Sequence, residues 1–190
     1  MEQLVSTVLV ISGSPSRTSK TEKIGEHVAQ RLAAAGRTTE HLRVRSLPAE
    51  ALLNADVSDP AISSAVEQVE AADGIVLATP TYKAAYSGLL KSFLDLLPQF
   101  GFAGKAVLPL ATGGSVAHVL AIDYALRPVV HSLGARHAVQ SFFLLDKHLS
   151  SVGEELAVHD DSAGPLADVI EQFSKALDGI PHATVLGRSA

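Results

Sequence analysis

The sequence predicts a doubly wound α/β fold, in which a five-stranded parallel sheet of order 2-1-3-4-5 is covered by helices on both faces. Short apolar runs alternate along the chain with segments of helical periodicity, and parallel strands require crossover connections of this kind. Three of these runs end in polar loops rich in hydroxyl residues, proline or glycine. Such loops are typical of the edge at which open α/β sheets bind ligands.

The predicted strands differ in how deeply they should be buried. The first, third and fourth are nearly continuous apolar runs, which favours burial on both faces, whereas the second is short and mixed and fits an edge position. The predicted strands span residues 5–12, 41–45, 74–78, 105–111 and 137–144.

The predicted helices have recognisable start and stop signals. Gly36 closes the first helix, Pro60 lies near the start of the second, Pro98 stops the third, and Gly134 ends the fourth. The predicted helices span residues 21–35, 62–72, 87–97, 117–133 and 166–177.

The length of 190 residues predicts one domain, assigned here to residues 1–178, followed by a flexible tail over 179–190. The polar segment 146–164 is predicted to be a flexible excursion. The strand order is the flavodoxin-like one, whose ligand site lies at the switch point between the first and third strands.

Composition excludes several classes of function. The chain has a net charge of −5 and no cluster of basic residues, which weighs against nucleic acid and anionic membranes as partners. The absence of cysteine excludes disulfides, thiolate nucleophiles and cysteine metal sites, and the eight histidines show no metal-ligand spacing, so no metal is predicted. No apolar run approaches the roughly 18 residues of a membrane span, and no signal peptide is evident, which predicts a cytoplasmic protein. The low charged fraction, 18%, predicts a homo-oligomer.

The loop after the first strand is a candidate phosphate site. Hydroxyls and one positive charge stand where a helix opens, and the unpaired N–H groups of a first helical turn favour an anion. The loop lacks the glycine-lysine signature of a Walker site and the three glycines of dinucleotide sites, so a single phosphate such as that of FMN fits it better. Ordinary capping by Ser19 is the alternative. The candidate groups are Ser14, Ser16, Arg17, Ser19 and Thr21.

The next two loops are candidates for a flat heterocycle. One combines a fixed turn with polar groups and an aromatic ring, in Pro80, Thr81 and Tyr82, and a plain connecting turn is its alternative. The other offers a main chain that a ring could approach closely, in Thr112, Gly113, Gly114 and Ser115. His118, one turn further on, is a candidate ligand contact or else a surface residue.

Pro128 falls inside the predicted helix 117–133. Proline cannot donate to the carbonyl of Tyr124 and crowds that turn, so a kink or a π-bulge is expected over residues 124–127. Tyr124 is the large residue at this distortion. A simple kink in a surface helix is the alternative.

Four blocks of sequence resemble the NAD(P)H-dependent FMN reductases of two-component alkanesulfonate monooxygenase systems. The resemblance covers roughly residues 7–145, and the blocks are GSP at 13–15 with Ser19 and Thr21, TPTYKAAYSGLLK at 79–91, LPLATGGSVAH at 108–118 and AIDYALRP at 121–128. Related flavin reductases often carry an arginine where Ser16 stands, and here Arg17 is the neighbouring charge.

The resemblance implies a flavodoxin-like dimer or tetramer that reduces FMN to FMNH₂ with NADPH or NADH. The product would pass to a flavin-dependent monooxygenase that desulfonates organosulfonates. It also implies that Tyr124 lies at a subunit interface close to the flavin, where it would control flavin binding and assembly. Three alternatives remain open: a quinone or azo reductase that keeps its FMN, a flavodoxin-like electron carrier, and a flavin-binding interaction protein without turnover.

Overall fold

The structure is a computed structural model that describes residues 6–152 and 155–180. The strands are β1 Thr7–Ser12, β2 Thr38–Arg43, β3 Gly74–Tyr82, β4 Ala85–Tyr86, β5 Ala106–Gly113, β6 His137–Ala138, β7 Phe142–Leu145, β8 Leu149–Val152 and β9 Glu155–Val158. The helices are α1 Lys20–Ala34, α2 Ala49–Leu53, α3 Pro60–Ala71, α4 Gly88–Leu94, α5 Arg127–Ser132 and α6 Asp160–Gly179. Three 3₁₀ turns, Val44–Ser46, Val116–His118 and Asp146–His148, and a π-helical segment, Ile122–Leu126, complete the described elements.

Apart from the two-residue β4, which pairs antiparallel with the end of β3, the main sheet is parallel and has the predicted order. It runs β2-β1-β3-β5, and both β6 and β7 pair with the free side of β5, β6 near its start and β7 near its end. These two short strands therefore share the fifth position, so the predicted order 2-1-3-4-5 is confirmed. The predicted strand 137–144 is interrupted, and the Arg127 guanidinium donates to the carbonyls of Ala138 and Val139 at the break.

The two faces of the sheet bury separate cores, because successive side chains of a strand point to opposite faces. Leu9 and Ile11 of β1 belong to the core that includes residues of α2, α3, α4 and α5. Val8 and Val10 belong to the core that includes residues of α1 and α6. Helices therefore cover both faces, as the sequence predicts.

Among the predicted helices, those over 117–133 and 166–177 differ most from the structure. The predicted helix 117–133 is divided into a 3₁₀ turn, the π-helical segment and α5, because Pro128 and the preceding turns do not support continuous α-helical bonding. The last helix begins at Asp160 and not at residue 166, since the His159 side chain accepts from the Asp161 N–H and two aspartates favour the positive end of the helix.

The predicted flexible excursion 146–164 is in fact largely regular structure. It contains a 3₁₀ turn, the antiparallel pair β8–β9 and the start of α6. The backbone hydrogen bonds between β8 and β9 order this segment, although its polar composition predicts a flexible loop. Most of the predicted flexible tail, residues 181–190, lies outside the described residues.

The edge strand β2 is joined to β1 by a side-chain contact as well as by its backbone. His41 Nε2 lies 2.5 Å from Ser12 Oγ, and the ring is largely buried against β1 and α1. Burial, and to a smaller extent the charge of Arg43, lowers the pKa of His41 from 6.5 to about 4. The folded protein therefore favours the neutral imidazole.

This preference predicts a loss of stability in acid. Above pH 6.5, His41 is neutral in both the folded and the unfolded protein. Between pH 6.5 and about pH 4, the imidazole is protonated in the unfolded chain but stays neutral in the folded protein, so protonation stabilises the unfolded state. Across this window we expect His41 to lower the free energy of unfolding by about 1–2 kcal/mol, with solvent screening of the partly exposed ring allowed for. Denaturant titrations of the native protein and of His41→Gln at both ends of the window measure it. An equal decrease of the free energy of unfolding in the two proteins between pH 6.5 and about pH 4 would contradict the prediction.

Candidate functional site

A cleft of about 320 Å³ lies at the carboxyl ends of β1, β3 and β5. Loops that are far apart in the sequence meet there because parallel strands present their carboxyl ends at one edge of the sheet. Its size is within the range of small-molecule sites. The lining residues are Ser14, Ser16, Thr18, Ser19, Lys20, Thr21, Pro80, Thr81, Tyr82, Thr112, Gly113, Gly114 and Asp146.

The first loop is fixed against β3 and α4 by a close contact at Gly13. The Gly13 N–H donates to the Ala78 carbonyl at 2.8 Å, and Ser87 Oγ donates to the Gly13 carbonyl at 2.5 Å. A Cβ atom on residue 13 would lie 2.5 Å from Leu90 Cβ. Only glycine allows this approach, and the approach sets the height of the loop above the sheet.

The hydroxyls of this loop mostly accept hydrogen bonds from its own backbone. Ser14 Oγ accepts from the Ser16 N–H, Ser16 Oγ accepts from the Thr18 N–H, and Ser19 Oγ accepts from the Glu22 N–H at 3.1 Å. The capping interpretation therefore holds for Ser19. Capping does not exclude ligand binding, because a hydroxyl that accepts still carries a hydrogen that it can donate.

Thr21 and Thr112 join the first loop to the third. Their Oγ1 atoms lie 2.6 Å apart, and both side chains are buried. This bond holds the start of α1 against the end of β5 at the base of the cleft. The Thr21 hydroxyl is thus engaged with Thr112, a partner that the sequence does not indicate.

The second loop forms a two-residue hairpin turn between β3 and β4. Tyr82 pairs with Ala85, and the two turn residues, Lys83 and Ala84, have φ of 51° and 62°. A left-handed conformation costs a non-glycine residue about 1–2 kcal/mol. This strain is stored beside Tyr82, whose side chain is 50% exposed at the cleft.

Thr81 lies between the cleft and a narrow gap behind the hairpin that is too small for a water molecule. Its Oγ1 atom is buried and has no hydrogen-bond partner, which is unusual for a hydroxyl. The gap lies between the hairpin, β5 and the π-helical segment, and burial raises the pKa of Tyr86, which borders it. The full lining is Thr79, Thr81, Tyr86, Ala111, Ala121, Ile122 and Leu126.

The structure brings together most, but not all, of the candidate residues. Arg17, Ser115, His118 and Tyr124 do not line the cleft. Arg17 is exposed, Ser115 caps a 3₁₀ turn by accepting from the Ala117 N–H, and His118 ends that turn.

Sequence reasoning missed three residues of the cleft: Thr18, Lys20 and Asp146. Thr18 and Lys20 stand in the hydroxyl loop itself, so their place among the candidate groups was the signal that could have found them. Asp146 follows the last strand of the main sheet, and the rule that ligands bind at the carboxyl ends of strands was the signal that could have found it.

The distortion predicted from Pro128 is present. Residues Ile122–Leu126 form a π-helical segment, and the Arg127 N–H donates to the Ile122 carbonyl, five residues back. Tyr124 lies in this segment with 78% of its surface exposed. The π-bulge is therefore confirmed, and a simple kink is not what the structure contains.

Among residues 6–152 and 155–180, no group of three or more histidine, aspartate or glutamate side chains is arranged to hold a metal ion. None of the helices in this part of the chain combines the length and the apolar composition needed to cross a membrane.

Comparisons with known proteins identify relatives over most of the chain. It is 43% identical over 170 residues to FMN reductase (NADPH) from Escherichia coli (strain K12), covering 90% of this chain and 89% of that protein. It is 44% identical over 143 residues to FMN reductase (NADPH) from Pseudomonas putida (strain KT2440), covering 75% and 73%. A solved apo structure of an NADH:FMN oxidoreductase has a TM-score of 0.84 and 47% identity, covering 94% of this chain and 92% of that one.

The model of the family described as NADPH-dependent FMN reductase matches residues 6–149, which include all the described strands of the main sheet and every residue that lines the cleft. With this match and these identities, the chain belongs to the NADPH-dependent FMN reductase family.

Proposed function

We propose that this protein reduces FMN with NADPH or NADH and passes the reduced flavin to a separate monooxygenase that desulfonates organosulfonates. As a member of the FMN reductase family it is an oxidoreductase, with a flavin and a reduced nicotinamide nucleotide as its reactants. One observation carries the proposal: a hydroxyl-rich loop at the start of α1 and an aromatic hairpin turn line the same open cleft. The first suits a phosphate and the second a flat ring.

The residues of the cleft fit FMN. We assign the phosphate to Ser14, Ser19 and the N-terminus of α1, with Arg17 and Thr21 beside them. The buried Thr81 Oγ1 lacks a partner, so this part of the site has an unused polar group. A Cβ atom on Gly114 would meet only Asp146 Oδ2, at 4.0 Å, so this part of the main chain is open to a ring. We assign the ring to Pro80, Thr81, Tyr82 and the loop 112–115, with His118 nearby.

A bound flavin supplies the hydride-accepting chemistry, so the protein needs no nucleophile of its own. The chain contributes binding, orientation and a restricted approach for the nicotinamide. The pairing with a desulfonating monooxygenase is supported by the four sequence blocks, which together include the hairpin, the glycine loop and the π-helical segment. Several cleft residues are exposed, among them Ser16, Thr18 and Tyr82, as suits a flavin that leaves after each turnover.

A spectroscopic assay tests this function. The purified protein should be colourless and should oxidise NADPH or NADH only when FMN is added. With an alkanesulfonate monooxygenase and an organosulfonate present, sulfite should be released. A yellow protein that reduces quinones or azo dyes without added FMN would replace the proposal with a quinone or azo reductase. A flavin-bound protein that oxidises neither nucleotide would be an electron carrier or an interaction protein.

An apolar surface next to the cleft supports assembly into a homodimer or homotetramer. We call it the Val116–Tyr124 surface, and it consists of the exposed side chains of Val116, Val119, Leu120 and Tyr124. Tyr124 is 78% exposed and Val116 67%. Apolar side chains clustered in this way mark interaction surfaces. We propose that a second copy of the chain covers it and that Tyr124 then approaches the neighbouring flavin site.

A charge placed in this surface should prevent assembly. Leu120→Lys should shift the protein to the monomer, because an ammonium group cannot be buried at an apolar contact without a large loss of solvation. Leu53→Lys is the matched control, since Leu53 is equally a surface leucine, 78% exposed, but belongs to α2. Sedimentation at micromolar concentration measures the oligomeric state of the native protein and of both variants. A monomeric native protein would contradict this prediction.

Tyr124→Ala should leave the fold intact and change how long the flavin stays. The side chain is exposed in the single chain, so its removal opens no core cavity, but at a subunit contact it adds area and a hydroxyl near the flavin. We expect the variant to retain FMN through purification and to turn over more slowly, because release becomes limiting. Bound flavin is measured by absorbance and turnover by NADPH oxidation. Unchanged flavin retention and turnover would contradict the prediction.

Arg17→Ala should weaken FMN binding by about 10- to 100-fold, the range for loss of a charged hydrogen bond. Riboflavin, which lacks the phosphate, should be almost unaffected. Fluorescence titration with both flavins makes the comparison. Equal losses for FMN and riboflavin would show that Arg17 does not act on the phosphate.

A further inference from the structure

Among the described residues that line the cleft, Lys20 is the one cation and Asp146 is the one anion. Lys20 is the first residue of α1, and Asp146 begins the turn that follows β7. Lys20 Nζ donates to the main-chain carbonyl of Asp146 at 2.7 Å. This bond joins the hydroxyl loop to the far end of the sheet and holds the ammonium group at the cleft.

The ammonium group retains the capacity to bind an anion. It has three donors, and the contact with the Asp146 carbonyl uses one of them. Because that acceptor is a neutral main-chain carbonyl, the contact leaves the positive charge uncompensated. The side chain is exposed at the rim, so a ligand can reach it without displacing any core residue.

The charge balance of the site favours such a group. A phosphate monoester carries about −1.5 to −2 charges near neutral pH. Arg17 supplies at most one positive charge and does not line the cleft. The Asp146 carboxylate adds a negative charge within it, facing Gly114. Lys20 offsets this carboxylate, so that the N–H groups and hydroxyls at the start of α1 can bind a phosphate without an uncompensated negative charge in the lining.

We infer that Lys20, in addition to Arg17, makes the cleft select flavins with a 5′-phosphate, and that the Asp146 carbonyl positions its ammonium group for this task. The inference rests on the proposed function, because it takes the flavin cleft as given. It assigns a second, separate part of the preference for FMN over riboflavin to a lysine that the sequence motifs did not single out. The hydroxyls of the loop then orient the phosphate, and Lys20 neutralises it.

Equilibrium binding tests the inference without turnover. FMN and riboflavin are titrated into the native protein and into Lys20→Met and Lys20→Arg, with flavin fluorescence as the signal and no nicotinamide nucleotide present. We expect Lys20→Met to raise the Kd for FMN about 10- to 100-fold and the Kd for riboflavin less than about twofold. Lys20→Arg should keep most of the preference, since it keeps the charge.

Lys147→Met is the matched control. Lys147 is an exposed lysine next to Asp146 in the chain but is not among the lining residues, so its loss should change neither Kd. Added salt should weaken FMN binding more steeply in the native protein than in Lys20→Met, because only the native protein has this ion pair to screen.

Three results would overturn the inference. These are an unchanged FMN preference in Lys20→Met, an equal loss of both flavins in that variant, and the same FMN-selective loss in Lys147→Met. A native protein that binds neither flavin, or binds riboflavin as tightly as FMN, would overturn it as well. A native protein that binds FMN selectively but oxidises neither NADPH nor NADH would refute the proposed function alone.

Discussion

The close contact between Gly13 and the first turn of α4 is the constraint on which the cleft depends. The carbonyl of Gly13 accepts from Ser87 Oγ, and the same hydroxyl accepts from the Leu90 N–H, so one serine caps α4 and holds the hydroxyl loop. The loop after β1 and the helix after β3 are therefore held directly against each other. A larger residue at position 13 would separate them, because its Cβ would overlap Leu90.

The start of α1 is held from two further sides. The Thr21–Thr112 bond ties it to β5, and Glu22 receives hydrogen bonds from Arg43 and Arg45 at the end of β2. Glu22 is also the residue whose N–H donates to the Ser19 cap. The N–H groups at this helix end thus have a fixed direction before any ligand arrives, which lowers the entropic cost of binding an anion.

The π-helical segment separates buried from exposed side chains over a few residues. One additional residue in the turn brings Ile122 and Leu126 into the core while Tyr124 stays exposed. Ile122 and Leu126 line the narrow gap behind the hairpin together with Thr81, so the distorted helix lies directly behind the hairpin that borders the cleft. The π-helical segment therefore lies between the Val116–Tyr124 surface and the hairpin that borders the cleft.

The sequence by itself determined the sheet order, most helix boundaries and the distortion at Pro128. These follow from the periodicity of apolar residues and from local backbone limits, such as the φ of 86° that Gly36 adopts after α1. Only the tertiary structure decided which side chains face the cleft. Lys20 and Asp146 lie 126 positions apart, and the packing of α1 across the sheet brings them together. The direction of a side chain depends on contacts with residues that are distant in the chain, and these contacts cannot be predicted from the local pattern of a single sequence.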